Sequence, residues 1–297
     1  MMLRRIFVVV PVLLLGMACF FPLAAEARMN GVEAVIKGMP PAKKTAPEKQ
    51  EKKKESPKPS PPETVPAEKP SPTIIIDPGH GGKDPGAISK AKIREKDLVL
   101  SIAKKLGQAL KKKLGANVFY TRSDDRFITL GDRDRIANKR SCDMFLSVHA
   151  NASKNSKAEG VEIYYLNKAS DEASSRLAAR ENEGAPKKEK EMEAIVSDLL
   201  QTASTEESAL VAQAVERSTK GRIQKKYKIE DIKVKTALFY VLVGAKCPSL
   251  LIETGFVTNP KEGKRLKQAA FQKDFADSVA DGVARYLKSA DESGGDL

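Results

Sequence analysis

Two short apolar runs, each rich in β-branched residues and each followed within a few residues by a histidine, constrain the fold most. The first is the run TIIIDPGH, which ends at His80, and the second is the run MFLSVH, which ends at His149. Runs of this length and composition are typical of buried strands. Small residues follow each histidine and would let a ligand approach closely. Because open α/β sheets build their sites at the carboxyl ends of strands, both histidines are candidate functional residues.

The stretch from Thr73 to Ser289 alternates between strand and helix patterns and has the length of one domain. This alternation predicts the α/β class, with a mostly parallel twisted sheet, helices on both faces and a single domain. We predict strands at 73–77, 117–121, 144–148, 161–166, 238–243 and 249–253, and helices at 95–114, 130–139, 208–223 and 271–287.

The first 27 residues have the pattern of a secretory signal peptide. A basic start is followed by an apolar run over residues 6–23 and by an Ala-x-Ala ending, with cleavage expected after Ala27. The alternative is an uncleaved N-terminal membrane anchor, because the apolar run is long enough to span a bilayer. A lipoprotein attached through Cys19 is disfavoured because Gly16 stands where a lipobox has leucine. We expect export to the periplasm or cell envelope.

Residues 28–72 are predicted to form a disordered tether. They contain ten of the seventeen prolines, together with many lysines and glutamates and almost no aromatic residues. Such a composition buries too little apolar surface to offset the entropy of the chain, so the segment sets reach rather than shape. A short disordered tail is expected at 290–297.

The formal net charge of +13 raises the question of nucleic acid as a partner. We expect none, because an exported protein does not normally meet nucleic acid and the lysines are mixed with acidic residues. An anionic polymer outside the cytoplasm is the better electrostatic partner. After signal removal only Cys142 and Cys247 remain, and both precede apolar runs at the sheet end away from the histidines. They would pair if their strands are neighbours, but two buried free thiols are the favoured expectation.

Two glutamates are placed to work with the histidines. Glu253 directly follows the apolar run SLLI, where a charge is costly unless it is paired or functional. Glu95 begins a predicted helix, where helix capping and dipole compensation are an alternative explanation. Two histidines and one glutamate would supply the three protein ligands of an open zinc site, and a second glutamate would shuttle protons. The alternative for the histidines is that they cap loops.

A long charged segment interrupts the alternation at about residues 168–207. Compact domains seldom carry so long a connection without a function. Pro186 would open a helix that runs through Leu200, with an apolar stripe formed by Met192, Ile195, Val196 and Leu199.

Four motifs occur in a specific order: IDPGHGG around His80, EKDL at Glu95, SVHAN around His149 and ETGFVTN at Glu253. In this order they resemble the zinc-dependent N-acetylmuramoyl-L-alanine amidases of the amidase-3 family over essentially all of residues 73–289. The resemblance implies one Zn²⁺ ligated by His80, Glu95 and His149, with Glu253 as general acid and base. It also implies the family's fold of a sheet flanked by helices.

The insert resembles that of the cell-division branch of the family, at the run VSDLLQTAS (196–204). In that branch an inserted helix covers the zinc site until a partner draws it away, which implies an activator of the LytM-domain type. Those relatives often carry an N-terminal wall-targeting domain, and this chain has only the tether. We therefore do not assume localisation by such a domain.

The predicted function is peptidoglycan hydrolysis at the amide bond between N-acetylmuramic acid and L-alanine, by a monomer. A zinc peptidase or deacetylase acting on the cell wall is the alternative enzyme, and a non-catalytic wall-binding protein is the alternative of another class. The insert is predicted to restrain the enzyme through a carboxylate on zinc, supplied by Glu189, Glu191 or Glu193. Glu193 is favoured because it lies beside the apolar stripe, and a flexible loop without contact to zinc is the alternative.

Four further polar residues lie near the site strands in sequence. Arg122 and Asn151 are candidates for contact with substrate or for ordering a loop, and loop ordering is favoured for Asn151. Arg133 and Arg135 lie on a predicted short helix, and a solvated helix face is favoured for both.

Overall fold

A six-stranded sheet forms the centre of the computed structural model, which describes residues 70–185 and 203–293. The strand order is β2-β1-β3-β6-β4-β5. Four strands, β2, β1, β3 and β6, run parallel, while β4 is antiparallel to β6 and parallel to β5. The predicted mostly parallel sheet is therefore confirmed. The strands are β1 Thr73–Pro78, β2 Asn117–Tyr120, β3 Met144–Asn151, β4 Val161–Leu166, β5 Ile232–Ala237 and β6 Ser249–Phe256.

Helices cover both faces of this sheet. One apolar cluster joins α1, α4 and α7 to the sheet, and a second joins α3 and α5 to the opposite face. The helices are α1 Glu95–Leu114, α2 Leu130–Asn138, α3 Glu172–Glu181, α4 Ala203–Thr219, α5 Tyr240–Val243, α6 Pro260–Leu266 and α7 Ala269–Ser293. A π-helical turn, Lys220–Gln224, and a short helical turn, Lys225–Tyr227, follow α4. Among the described residues, no helix is long and apolar enough to cross a membrane.

The first helix shows how the sequence sets these elements. Leu98, Ile102, Leu106 and Leu110 recur at helical spacing and are all buried against the sheet. Burial of each such side chain contributes roughly 1.5–3 kcal/mol. The helix ends at Gly115, which adopts the left-handed conformation that closes a helix without steric penalty. As a result, the start of α1, where Glu95 lies, is fixed relative to the strand ends.

One predicted strand was wrong, and one observed strand was not predicted. The apolar run 238–243, predicted as a strand, contains the short helix α5, and the strand in this region is β5, Ile232–Ala237. The side chains of Phe239, Val241 and Leu242 are buried in the second cluster, so burial rather than strand pairing explains the apolar character of this run. The strand β5 is the outermost strand of the sheet and carries lysines. It therefore lacks the apolar run by which the other strands were predicted.

The last helix and the insert also differ from the expected boundaries. The helix α7 runs to Ser293, four residues into the segment that was predicted to be a disordered tail. The insert contains α3, Glu172–Glu181, which the sequence pattern did not reveal. The signal peptide, the tether through residue 69 and the helix predicted from Pro186 lie outside the described residues.

The two cysteines form a disulfide, so the expectation of two free thiols was wrong. Cys142 precedes β3 and Cys247 precedes β6, and these strands are neighbours in the sheet. Their Cα atoms lie 5.9 Å apart, within the range that a disulfide requires. Both lie before their strands, at the end of the sheet opposite His149 and Glu253, as predicted.

Candidate metal centre and active site

The sheet brings the candidate residues together at the carboxyl ends of its parallel strands, which we call the site edge. His149 and Glu253 are direct neighbours in the register of β3 and β6, and His80 lies two residues beyond the end of β1. Glu95 begins α1 and reaches the same edge, where its Oε1 atom accepts a hydrogen bond from the backbone N–H of Ala150. The carboxyl ends of parallel strands thus bring together residues that are up to 173 positions apart, from His80 to Glu253.

Four side-chain atoms converge at this edge. Glu95 Oε1 lies 3.1 Å from His80 Nε2 and 3.1 Å from His149 Nδ1. Glu181 Oε2 lies 3.3 Å from the same atom of His80 and 3.2 Å from that of His149. Zinc bonds of ~2.0–2.1 Å in a tetrahedron separate the ligand atoms by about 3.3–3.4 Å. The donor set and its spacing therefore fit a zinc ion, and His80, His149 and Glu181 offer ligand atoms close enough together to hold a metal ion.

Further contacts orient these donors. The Nδ1 atom of His80 lies 2.8 Å from Asp84 Oδ2, the carboxylate–histidine arrangement that fixes the ring of a metal ligand. Glu95 Oε2 accepts a hydrogen bond from the backbone N–H of Ala87. Gly86 lies against both side chains, since a Cβ atom at this position would approach His80 Cδ2 to 2.6 Å and Glu95 Oε2 to 2.7 Å. The loop between β1 and α1 is thus shaped around the two donors.

The charges at this edge favour a cation between the carboxylates. Burial acts to lower the pKa of His80, but the Glu95 charge and the hydrogen bonds to Asp84, Glu181 and Glu95 together outweigh it and raise that pKa to about 12. Burial also opposes protonation of His149, while Glu181 and Glu95 raise its pKa to about 9. Against their burial, the histidines lower the pKa of Glu95 to about 2 and hold that of Glu181 well below its usual range. Two carboxylates facing two imidazoles attract a positive charge, whether a proton or a metal ion.

Glu253 differs from the other carboxylates. It is completely buried, and among the described residues neither of its carboxylate oxygens has a hydrogen-bond partner. Burial raises its pKa well above the usual range, and the nearby charges of Glu181 and Glu95 raise it further. A buried polar group without a partner is costly to stability. Such a group beside a cluster of possible metal donors fits a residue that handles the proton of a water or substrate.

The helix α3 carries Glu181 into the site as its last residue. Its amino end is capped by Asp171, whose side chain accepts from the N–H of Ser174 and pairs with Lys235 of β5 at 3.1 Å. At its carboxyl end, the Asn182 side chain donates to Leu238 O at 2.7 Å and accepts from the N–H of Tyr240 at 2.9 Å. The helix is therefore held at both ends by polar contacts with the segment that runs from β5 to α5.

Two further contacts hold α3 between its ends. Leu177 and Ala178 are buried in the second apolar cluster. Arg180 donates from Nη1 to Ala152 O, just beyond β3, and its guanidinium pairs with Glu181 at 2.9 Å. A cavity of about 900 Å³ lies beside this arrangement, and its lining includes His80, His149, Glu181, Lys83 and Phe127.

The insert therefore supplies a carboxylate to the site, but it is not one of those predicted. Glu189, Glu191 and Glu193 lie outside the described residues, and the carboxylate that the described part of the insert brings to both histidines is that of Glu181. The sequence did hold a signal for α3, since Asp171 stands where an N-cap residue is expected before the helix-forming run EASSRLAAR. Sequence periodicity could not show that the end of this helix meets the histidines.

The remaining candidates have different roles. Arg133 was expected to lie on a solvated helix face, and this was wrong, since it is only 3% exposed. It is buried because its guanidinium donates hydrogen bonds to Asp77 and to the loop that carries His80. The Arg135 side chain is 64% exposed and pairs with Asp132. Asn151 accepts from the N–H of Ala152 and donates to Glu162, which orders the loop after β3. Arg122 is also buried and is bonded to backbone carbonyls.

An α/β sheet that gathers two histidines and two carboxylates at its strand ends, beside a buried unpaired glutamate, is typical of metal-dependent hydrolases. Residues 74–285 match the family model Amidase_3, described as N-acetylmuramoyl-L-alanine amidase. The chain belongs to this family, which confirms the family predicted from the four motifs.

Proteins of the same description are similar to this chain. N-acetylmuramoyl-L-alanine amidase AmiC of Neisseria meningitidis serogroup B is 38% identical over 227 residues, which are 74% of this chain and 53% of that protein. AmiA of Escherichia coli is 35% identical over 223 residues, 72% of this chain and 75% of that protein. The chain thus spans about half of the first relative and three quarters of the second.

Solved structures show the same fold. The N-acetylmuramoyl-L-alanine amidase of Clostridium difficile 630 superposes with a TM-score of 0.56 at 34% identity, over 74% of this chain and 98% of that one. The CwlD amidase of Clostridioides difficile, solved in complex with the GerS lipoprotein, superposes with a TM-score of 0.56 at 27% identity, over 73% of this chain and 99% of that one.

Proposed function

We propose that this protein hydrolyses the amide bond that joins N-acetylmuramic acid to the L-alanine of the peptidoglycan stem peptide. The observation that carries the proposal is the convergence of His80, Glu95 and His149 beside Glu253, in a domain that matches the amidase family model along residues 74–285. Peptidoglycan is the proposed substrate because the similar proteins are named N-acetylmuramoyl-L-alanine amidases, and the bond in that name belongs to peptidoglycan.

His80 Nε2, His149 Nδ1 and a carboxylate oxygen of Glu95 would hold one zinc ion. When bound, zinc supplies Lewis-acid chemistry, because it lowers the pKa of a water and polarises the carbonyl that is attacked. Glu95 keeps both oxygens engaged with backbone N–H groups, which fixes its direction toward the histidines. Asp84 holds the His80 ring so that Nε2 faces the site.

Glu253 acts as the proton carrier in this proposal. Glu253 is the neighbour of His149 in the β3–β6 register, and neither of its carboxylate oxygens has a hydrogen-bond partner among the described residues, so it is free to take a proton from the attacking water. The same group then gives the proton to the departing nitrogen of L-alanine. The stem peptide leaves with a free amino end, and the lactyl group of muramic acid keeps a carboxylate.

The helix α3 restrains this activity in the proposal. Glu181 occupies the place beside the histidines where the fourth donor of a tetrahedral site would lie, and a catalytic zinc site must leave that place open. Arg180, from the same helix, is bonded to Ala152 O next to the site. Withdrawal of α3 would free the site for water and substrate together.

Export and activation complete the proposal. The predicted signal peptide would deliver the protein to the periplasm or envelope, where its substrate is. A partner of the LytM-domain type would draw α3 away, as the resemblance to the cell-division branch implies. A complex of the related CwlD amidase with the GerS lipoprotein supports the idea that amidases of this fold associate with protein partners.

Digestion of purified sacculi, with mass analysis of the products and zinc quantification on the same sample, tests the function. The Glu181→Gln variant is included so that the proposed restraint does not hide the activity. The expected products are stem peptides with a free amino group on L-alanine and glycan strands without peptide. Fragments still attached to muramic acid would indicate a peptidase, released acetate a deacetylase, and binding without product a non-catalytic wall-binding protein.

A further inference from the structure

Two buried arginines hold the loop that carries His80. The carbonyl oxygens of three consecutive residues, Pro78, Gly79 and His80, all accept hydrogen bonds from Arg122 or Arg133. The positions of these arginines in the sequence did not indicate this role. We call Arg122 and Arg133 together the arginine cradle.

Arg133 reaches the loop from α2. Its Nη1 atom donates to Asp77 Oδ1 at 2.7 Å and to Pro78 O at 2.8 Å, and its Nη2 atom donates to His80 O at 2.9 Å. Asp77 is fully buried and also accepts from the hydroxyls of Thr121 and Ser147. The ion pair with Arg133 therefore leaves no uncompensated charge on Asp77 at the end of β1.

Arg122 reaches the same loop from the end of β2. Its Nε atom donates to Pro78 O at 2.9 Å, and its Nη2 atom donates to Gly79 O at 2.6 Å and to Lys96 O at 2.9 Å. Lys96 follows Glu95 in the first turn of α1. One guanidinium thus joins the loop of His80 to the turn of Glu95, which are fifteen residues apart.

The loop needs this support because it is strained and crowded. His80 has a φ of 57°, in the left-handed region that a residue with a side chain seldom adopts. Gly79 lies against the other histidine, since a Cβ atom there would approach His149 Cε1 to 2.3 Å. A strained residue persists only where its surroundings over-determine it, and the arginine cradle supplies hydrogen bonds on both sides of its peptide.

We propose that Arg122 and Arg133 are positioning residues that hold His80 and Glu95 at the spacing a metal ion requires. The inference rests on the proposed metal site and adds the residues that preset it. Lysine cannot replace either residue, because an ammonium lacks the planar fork that reaches two or three carbonyls at once. Loss of the fork would leave His80 free to relax out of its left-handed conformation and away from Glu95.

The test uses the full-length protein and compares Arg133→Lys with Arg265→Lys. Arg265 is a matched control because it is also buried and also bonds a carboxylate and a carbonyl, those of Glu262 and Tyr227, outside the cluster of donors. We measure the Kd for zinc by competition with a chelator below the melting temperature. We also measure hydrogen–deuterium exchange of the backbone over residues 78–86 in zinc-free protein.

We expect Arg133→Lys to raise the Kd for zinc about 10–100-fold, the usual cost of losing the support of a metal ligand, and to speed exchange over 78–86. Arg265→Lys should lower the melting temperature and change neither quantity. Arg122→Lys serves as the second variant and should raise the Kd in the same way. Wild-type Kd and wild-type exchange in both cradle variants would overturn the proposal. If the parent protein bound no zinc, the proposed function would fail, and exchange over 78–86 would still decide the role of the cradle.

Discussion

Replacing Glu181 by glutamine should activate the enzyme in the absence of any partner. The Glu181 carboxylate lies 3.3 Å from His80 Nε2 and 3.2 Å from His149 Nδ1, the atoms that would hold zinc, so its charge makes charge-assisted contacts with the bound cation that an amide does not make. Such contacts are worth about 1.5–3 kcal/mol each. Since 1.4 kcal/mol corresponds to a factor of ten, loss of one contact raises the ratio of withdrawn to docked α3 about 10–150-fold. Glutamine keeps the size of the side chain, so the packing of Leu177 and Ala178 stays intact.

The assay is the initial rate of release of soluble stem peptide from purified sacculi, with the zinc content measured on the same preparation. Glu172→Gln is the matched control, because Glu172 lies on the same helix and its side chain is 85% exposed and paired with Arg176. The control should digest sacculi at the parent rate. The Glu181 variant should be faster by the factor above, up to the rate of the fully activated enzyme.

Two outcomes would refute this reasoning. If the Glu181 variant held a full complement of zinc and digested sacculi at the parent rate, α3 would not limit access to the site. If the variant were slower than the parent, Glu181 would take part in the reaction and would not restrain it. A change in zinc content would separate both outcomes from simple loss of the metal.

Three further predictions concern other contacts of the same domain. Asn182→Ala removes two hydrogen bonds that hold the end of α3, each worth about 0.5–1.5 kcal/mol. The variant should digest sacculi faster than the parent in the absence of a partner, with the same zinc content. An unchanged rate would show that other contacts hold α3. Glu253→Gln should retain zinc and lose about 10²–10⁴-fold in rate, and loss of zinc would make Glu253 a ligand. Because the Cys142–Cys247 bond closes a loop of 105 residues, its removal by Cys142→Ser should destabilise the domain by about 4.7 kcal/mol. That loss lowers the melting temperature by about 10–20 °C, which calorimetry would detect, and an unchanged value would show that the cysteines are not paired in the purified protein.

The sequence predicted the parts of the site that depend on strand ends. His80, His149 and Glu253 each follow an apolar run, and the carboxyl ends of β1, β3 and β6 meet at one edge because these strands are parallel. Glu95 was harder to place, since a carboxylate in a first helical turn also has a purely electrostatic explanation. The structure distinguishes the two, because both Glu95 oxygens point into the loop and toward the histidines.

Features that depend on contacts between distant elements were not predictable from periodicity. Arg133 lies on a short helix of mixed charge, and only the approach of α2 to the end of β1 buries it beside Asp77. The disulfide required that β3 and β6 be adjacent, which their order in the chain does not show, since β4 and β5 lie between them. Glu181 lies on a helix whose pattern is weakly apolar, and its contact with the histidines depends on how β5 and α5 hold that helix.

The way α3 is held suits a switch better than a permanent cover. Its buried apolar side chains are Leu177 and Ala178, so hydrophobic burial contributes only a few kcal/mol. The remaining contacts of α3 are polar. The groups of Asp171, Arg180 and Asn182 would be rehydrated on withdrawal, so their net contribution is small, and Glu181 adds about 1.5–3 kcal/mol for each contact that it makes in the site. A partner needs about 5.5 kcal/mol of preference for the withdrawn state to move a population from 1:99 to 99:1. The free energy that holds a helix by one small apolar patch and a few polar contacts is within the reach of such a partner. The free energy that holds a helix by a full apolar face would exceed it.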